Sequence, residues 1–158
     1  MPDMLVKLYD LPDSLLSVET NLPPGVEIRR AKAPEKNIVL GWVEQQFSSV
    51  WKSECDVAFS EHPISCFIAT QNGEIVGFAC YDASCRNFFG PTGVQTTHQG
   101  KGIGKALLLR SLLAMKENGY AYAIIGDAGP TDFYKKAVNA EIIEGSSPGF
   151  YRGVLKEH

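Results

Sequence analysis

The stretch Gln99-Gly100-Lys101-Gly102-Ile103-Gly104 constrains this chain more than any other. It joins an extended-looking run at 88–94 to an apolar run that begins at Ala106. Closely spaced glycines let successive backbone N–H groups line a loop with little side-chain obstruction. At a helix N-terminus those unpaired amides and the positive end of the helix dipole both favour an anion. The stretch therefore predicts a phosphate-binding turn between a strand and a helix.

The residues that follow supply the helix. Leu108, Leu112 and Met115 recur at i, i+4, i+7, and Leu109 with Leu113 widens the stripe. Arg110, Lys116 and Glu117 suit the wetter side, and Asn118-Gly119 supplies residues that tolerate a left-handed cap. The aromatic and β-branched run at 120–125 then reads as a buried strand. Two other phosphate loops are excluded. A P-loop needs a glycine at the position of Gln99 and Ser or Thr at that of Ala106. A dinucleotide fingerprint needs a third glycine where Lys105 stands.

What remains is Gln/Arg-x-x-Gly-x-Gly preceded by Val94, which resembles the pyrophosphate-binding motif of the GCN5-related N-acetyltransferases. Past the next strand, Phe133-Tyr134-Lys135-Lys136-Ala137-Val138-Asn139-Ala140 resembles the second signature of that family. Pro130 and Thr131 provide its helix start. Asn139 stands where the family usually has glycine, and asparagine is the next best residue for a positive φ. The resemblance covers about residues 26–155, and its motifs lie within 92–140.

The resemblance implies an α/β (α+β) fold: a mixed, mainly antiparallel sheet of six to seven strands with about four helices on both faces. It implies acetyl-CoA as co-substrate and no metal. Thr92, Gly93 and Val94 would meet the pantetheine arm, with Gly93 suited to a close approach or a bulge. Gln99, Gly100, Lys101, Gly102, Ile103, Gly104 and Lys105 would hold the pyrophosphate, and Asp127 stands where the family often places a pantetheine-contacting asparagine. Tyr134 would protonate the departing thiolate, as general acid. The family often finds its base as a Glu on the strand before the loop, and this strand has no carboxylate. Glu54 and Asp82 are the substitutes, with Asp56 beside them, while His98 belongs to the loop region. Trp51, Phe59, Phe88 and Phe89 are expected around the acceptor.

Composition narrows the partners. A chain of 158 residues with 44% hydrophobic and 21% charged residues fits one soluble domain. Its formal charge of −3, without a basic cluster, gives nucleic acid no footing. No apolar run approaches the ~20 residues of a membrane span, and the first residues lack a signal-peptide pattern. A cytoplasmic location is expected, with a homodimer possible. Cys55, Cys66, Cys80 and Cys85 form no C-x-x-C pair, and His62, His98 and His158 show no matching ligand spacing. Free buried thiols and no metal are expected.

The expected order is a strand at 26–31, helices at 34–47 and 53–59, a hairpin of 65–70 and 74–82 around Asn72-Gly73, a strand at 86–94, the loop and its helix, and a strand at 120–125. A helix at 133–138 and strands at 141–144 and 150–155 complete it. In the first helix Ile38, Val39, Trp42 and Val43 are expected to face inward. Residues 25–158 form the domain, and 1–24 an extension with an added strand from Leu5 to Tyr9. The function expected is transfer of an acetyl group from acetyl-CoA to a primary amine of a small molecule or peptide. A non-catalytic acyl-CoA sensor or regulatory module is the alternative. A phosphate-binding module unrelated to coenzyme A would explain the loop but not the Tyr134 helix.

Overall fold

The computed structural model describes residues 1–13 and 15–157; His158 lies outside the described residues. One sheet of seven strands, in the order β2-β3-β4-β5-β6-β1-β7, organises the chain. The strands are β1 (Met4–Lys7), β2 (Val26–Arg30), β3 (Cys66–Gln71), β4 (Glu74–Tyr81), β5 (Phe88–Val94), β6 (Tyr122–Ile125) and β7 (Glu141–Ile142). Among the described residues five α-helices accompany them: α1 (Leu15–Thr20), α2 (Lys36–Gln46), α3 (Ser49–Ala58), α4 (Ile103–Glu117) and α5 (Thr131–Val138). All neighbouring pairs are antiparallel except β5 with β6.

Local chemistry sets these elements. Asn72 and Gly73 both take positive φ, 52° and 86°, which is what a two-residue hairpin turn between β3 and β4 demands. Ser48 accepts the Trp51 N–H at 3.1 Å and caps α3, a device worth about 1 kcal/mol. Asn139 ends α5 in the left-handed conformation at φ 56°, as its place in the motif requires. Two apolar clusters sandwich the sheet. One gathers Val39, Leu40 and Val43 of α2 and Cys55 and Ala58 of α3 with Ile68 and Phe78. The other gathers Leu107, Leu108, Leu112 and Met115 of α4 with Phe67, Phe89, Ile125 and Tyr134.

Three expectations are corrected. Ile38 is 69% exposed and Leu40 takes its place inside, because the stripe of α2 that packs on the sheet is Val39, Leu40 and Val43, with Trp42 at its edge. The second helix begins at Ser49 rather than at residue 53, because Ser48 supplies the cap. No strand forms at 150–155: Gly149–Tyr151 is a 3-10 turn, and Gly149 and Gly153 hold φ of 56° and 75°. The sheet position beside β6 is taken by β1, whose Met4 pairs with Ile125 on one side and Ile142 on the other. Met4 and Val6 are wholly buried, so the alternation of Met-Leu-Val-Lys seats residues 4–7 inside the sheet. No helix among the described residues is long and apolar enough to cross a membrane.

Candidate active site

β5 and β6 part company halfway along. Their parallel pairing consists of Phe88 with Ile124 and Phe89 with Ile125, after which β6 ends and β5 continues to Val94. The edge of β5 from Gly90 onward therefore faces no strand on that side. A bulge begins the divergence, since Tyr81 pairs with Phe89 but Ala79 with Thr92, leaving Gly90 and Pro91 opposite the single residue Cys80. The Gln95 N–H bonds the Val76 carbonyl at 2.8 Å. Antiparallel alternation then turns the backbone groups of Thr92 and Val94 away from β4, onto the open edge. The Gln99 side-chain amide already donates to the Val94 carbonyl at 3.2 Å.

The glycine loop follows this edge directly. Gly100 and Gly102 take φ of 76° and 85°, and Gly102 caps α4 in the left-handed conformation. The first bond of the helix runs from Ala106 N–H to the Gly102 carbonyl. The amides of Ile103, Gly104 and Lys105 thus have no acceptor within the helix. Lys101 and Lys105 form no ion pair among the described residues. His98 is turned to the hairpin instead, with Nε2 2.7 Å from Gln71 Oε1.

Tyr134 closes the other side of the split. It is 6% exposed, its ring meets Phe89 edge-on at 6.5 Å, and burial pushes its hydroxyl up to about 12. A cavity of about 420 Å³ is walled by Tyr134, by Phe89 to Thr92 of β5, by Ile125 to Pro130, and by Trp51 and Glu54 of α3. Glu54 accepts hydrogen bonds from the Ser84 hydroxyl and, at 3.5 Å, from the Tyr151 hydroxyl. Asp127 lies across the cavity with φ 48°; its N–H donates to Asp3 Oδ1 at 2.9 Å, and its carboxylate lies 3.3 Å from the Met1 ammonium.

Glu54, Asp127, Tyr134 and Thr92 thus converge on one cavity. Asp82 does not join them. It accepts the Asn87 N–H at 2.7 Å and the Tyr120 hydroxyl at 3.0 Å, which commits it to the β4–β5 turn. Asp56 pairs with Lys36 at 2.8 Å on the surface. Of the expected aromatics, Trp51 and Phe89 line the cavity, Phe59 is buried under α3, and Phe88 packs on Phe150. Tyr151 and Ser84 went unanticipated. The glycines at 149 and 153 flanking Tyr151 were the available signal that this segment turns rather than extends.

Comparison with known proteins agrees with the fold. A family model for the acetyltransferase (GNAT) domain matches residues 62–137. No curated protein matches the chain. A GCN5-related glucosamine N-acetyltransferase region of a fungal multi-domain GH3 β-N-acetylglucosaminidase shares the fold with TM-score 0.72 and 15% identity, over 90% of this chain and 19% of that one. A GCN5-related N-acetyltransferase from Sphaerobacter thermophilus gives 0.64 and 18%, over 90% and 48%. A GNAT family acetyltransferase from Brucella melitensis, solved with acetyl-CoA, gives 0.58 and 15%, over 75% and 86%. The chain spans only 19% to 53% of the length of the first three such structures. The acetyltransferase (GNAT) domain match at 62–137 and the shared fold together support placing this chain with the GCN5-related N-acetyltransferases.

Proposed function

We propose that this chain transfers an acetyl group from acetyl-CoA to a primary amine of a small molecule or peptide by direct attack. The observation that carries the proposal is the open edge of β5 beside a buried tyrosine hydroxyl, with a glycine loop continuing the same edge. The coenzyme's pantetheine arm fits along Thr92 to Val94, and its pyrophosphate fits the amides from Gly100 to Lys105. A backbone N–H on the open edge stabilises the oxyanion as the amine attacks the thioester carbonyl. Tyr134, kept protonated by burial up to about 12, donates its proton to the departing thiolate.

Glu54 takes the proton that the incoming ammonium must lose. It faces the cavity on α3, and the Ser84 and Tyr151 hydroxyls fix its orientation. Glu54 borders the acceptor space, and its carboxylate favours a cationic amine over an anionic acceptor. Calorimetry with acetyl-CoA, paired with turnover on a panel of primary amines, tests the proposal. Binding with turnover supports it. Binding without turnover across the panel identifies an acyl-CoA sensor, and absence of binding contradicts both.

A further inference from the structure

We propose that Cys55, Cys66 and Cys80 form a three-sulfur site for a soft monovalent ion, Cu(I), enclosed between α3 and the central hairpin. The three come from separate elements. Cys66 of β3 and Cys80 of β4 are directly opposed in the register, so both side chains leave the sheet on one face. That face carries Ile68 and Phe78 and is covered by α2 and α3, from which Cys55 descends. All three sulfurs lie within 4.8 Å of one another, and all three residues are 0% exposed.

The donor set selects the ion. Metal–thiolate bonds of about 2.3 Å place the sulfurs of a planar trigonal site roughly 4.0 Å apart, so these thiols need only small shifts to bind. Thiolate donors favour soft ions. Zinc in a structural site demands a fourth ligand. No histidine or carboxylate belongs to this cluster among the described residues, and the lack of exposure keeps water out. Three-coordinate Cu(I) satisfies both conditions.

On loading, a proton leaves each ligating S–H for solvent as its S–Cu bond forms; copper stays Cu(I) and no sulfur is oxidised. Cys55 immediately follows Glu54 in α3. An occupied site would therefore staple the helix that carries Glu54 and Trp51 to both β3 and β4, independently of which reaction the cavity performs.

The test is an anaerobic titration of the reduced protein with Cu(I) against a chromophoric Cu(I) chelator, followed by X-ray absorption. One Cu(I) per chain is expected, with three sulfur scatterers and a raised Tm. Cys55→Ser, Cys66→Ser and Cys80→Ser should each weaken binding by more than the ~100-fold at which loss of an outer-shell partner tops out. Cys85→Ser should bind as the parent does. Circular dichroism checks folding, and alanine replaces serine wherever a variant fails to fold. Failure of the parent to hold Cu(I) against the chelator would overturn the proposal. So would undiminished binding in the Cys55 variant, a two-sulfur site, or a Cys66–Cys80 disulfide in the reduced preparation.

Discussion

The Phe47 ring occupies the space where a side chain on Gly93 would begin: a Cβ there would overlap Phe47 Cζ and lie 2.7 Å from Cε1. Phe47 cannot swing away freely, because its ring also packs on Trp42, Trp51 and Phe78 at centroid distances of 5.0 to 5.7 Å. The backbone of β5 is thus held bare at Gly93, inside the stretch that pairs with β4 but has no strand on the β6 side.

Gly93→Ala should therefore cost about 1–3 kcal/mol, the usual range for overpacking. Adding Phe47→Leu should return part of that loss. A double-mutant cycle of urea midpoints checks the coupling. Additive effects would mean that the two positions do not share the space.

The loop makes a separable prediction. Gly102 sits at φ 85° as the cap of α4, so Gly102→Ala should destabilise the fold by about 1–2 kcal/mol and also raise the acetyl-CoA Kd. Lys101→Ala and Lys105→Ala should leave the urea midpoint alone while raising Kd. Their effect on Kd should shrink as salt is added, because the charges are exposed or half-buried. Calorimetry at low and high ionic strength reads this directly.

Glu54→Gln should lower kcat/KM by ~10²–10⁴ near neutral pH, the span typical of a lost general base. Coenzyme affinity should stay unchanged. Asp82→Asn removes a turn acceptor outside the cavity, so it should lower the urea midpoint with little effect on kcat. The pair of variants, read by initial rates and by denaturation, separates chemistry from folding.

Tyr134 and Tyr151 contribute to the alkaline limit of stability, beside the Cys66 and Cys80 thiols, which are also raised. Burial first of all raises both Tyr134 and Tyr151 from 10.0 to about 12. Between those values the unfolded chain has lost protons that the folded chain still holds, so stability should fall as pH rises from 10 toward 12. Phe at both positions should make that limb shallower. On the acid side, the Arg29 fork at 2.6 and 2.9 Å holds Glu35 down from 4.5 to about 2. The stability Glu35 contributes is present above pH 4.5 and should be lost as pH falls toward 2. Urea midpoints at each pH give both limbs.

Much of the site was legible because its chemistry is local. The glycines at 100 and 102, the asparagine cap at 139 and the Asn72-Gly73 turn each need a particular φ, and the residue types declare it. What was illegible depended on distant elements competing for the same place. Residues 150–155 have strand-like side chains, yet β1 holds the position beside β6, and the glycines at 149 and 153 turn the tail toward Glu54. Glu54 and Asp82 look alike in sequence. The packing of α3 brings Glu54 to the cavity, while the β4–β5 connection holds Asp82 in a turn. The meeting of Cys55 with Cys66 and Cys80 likewise follows from hairpin register and from how α3 crosses it.

The most direct measurement follows free thiol release from acetyl-CoA with a primary amine acceptor, for the parent protein and for Tyr134→Phe. Amine-dependent release that falls by ~10²–10⁴ in kcat, with the acetyl-CoA Kd unchanged, is the predicted result. Equal kcat in the two proteins would contradict the assignment of Tyr134 as the proton donor at the open edge of β5.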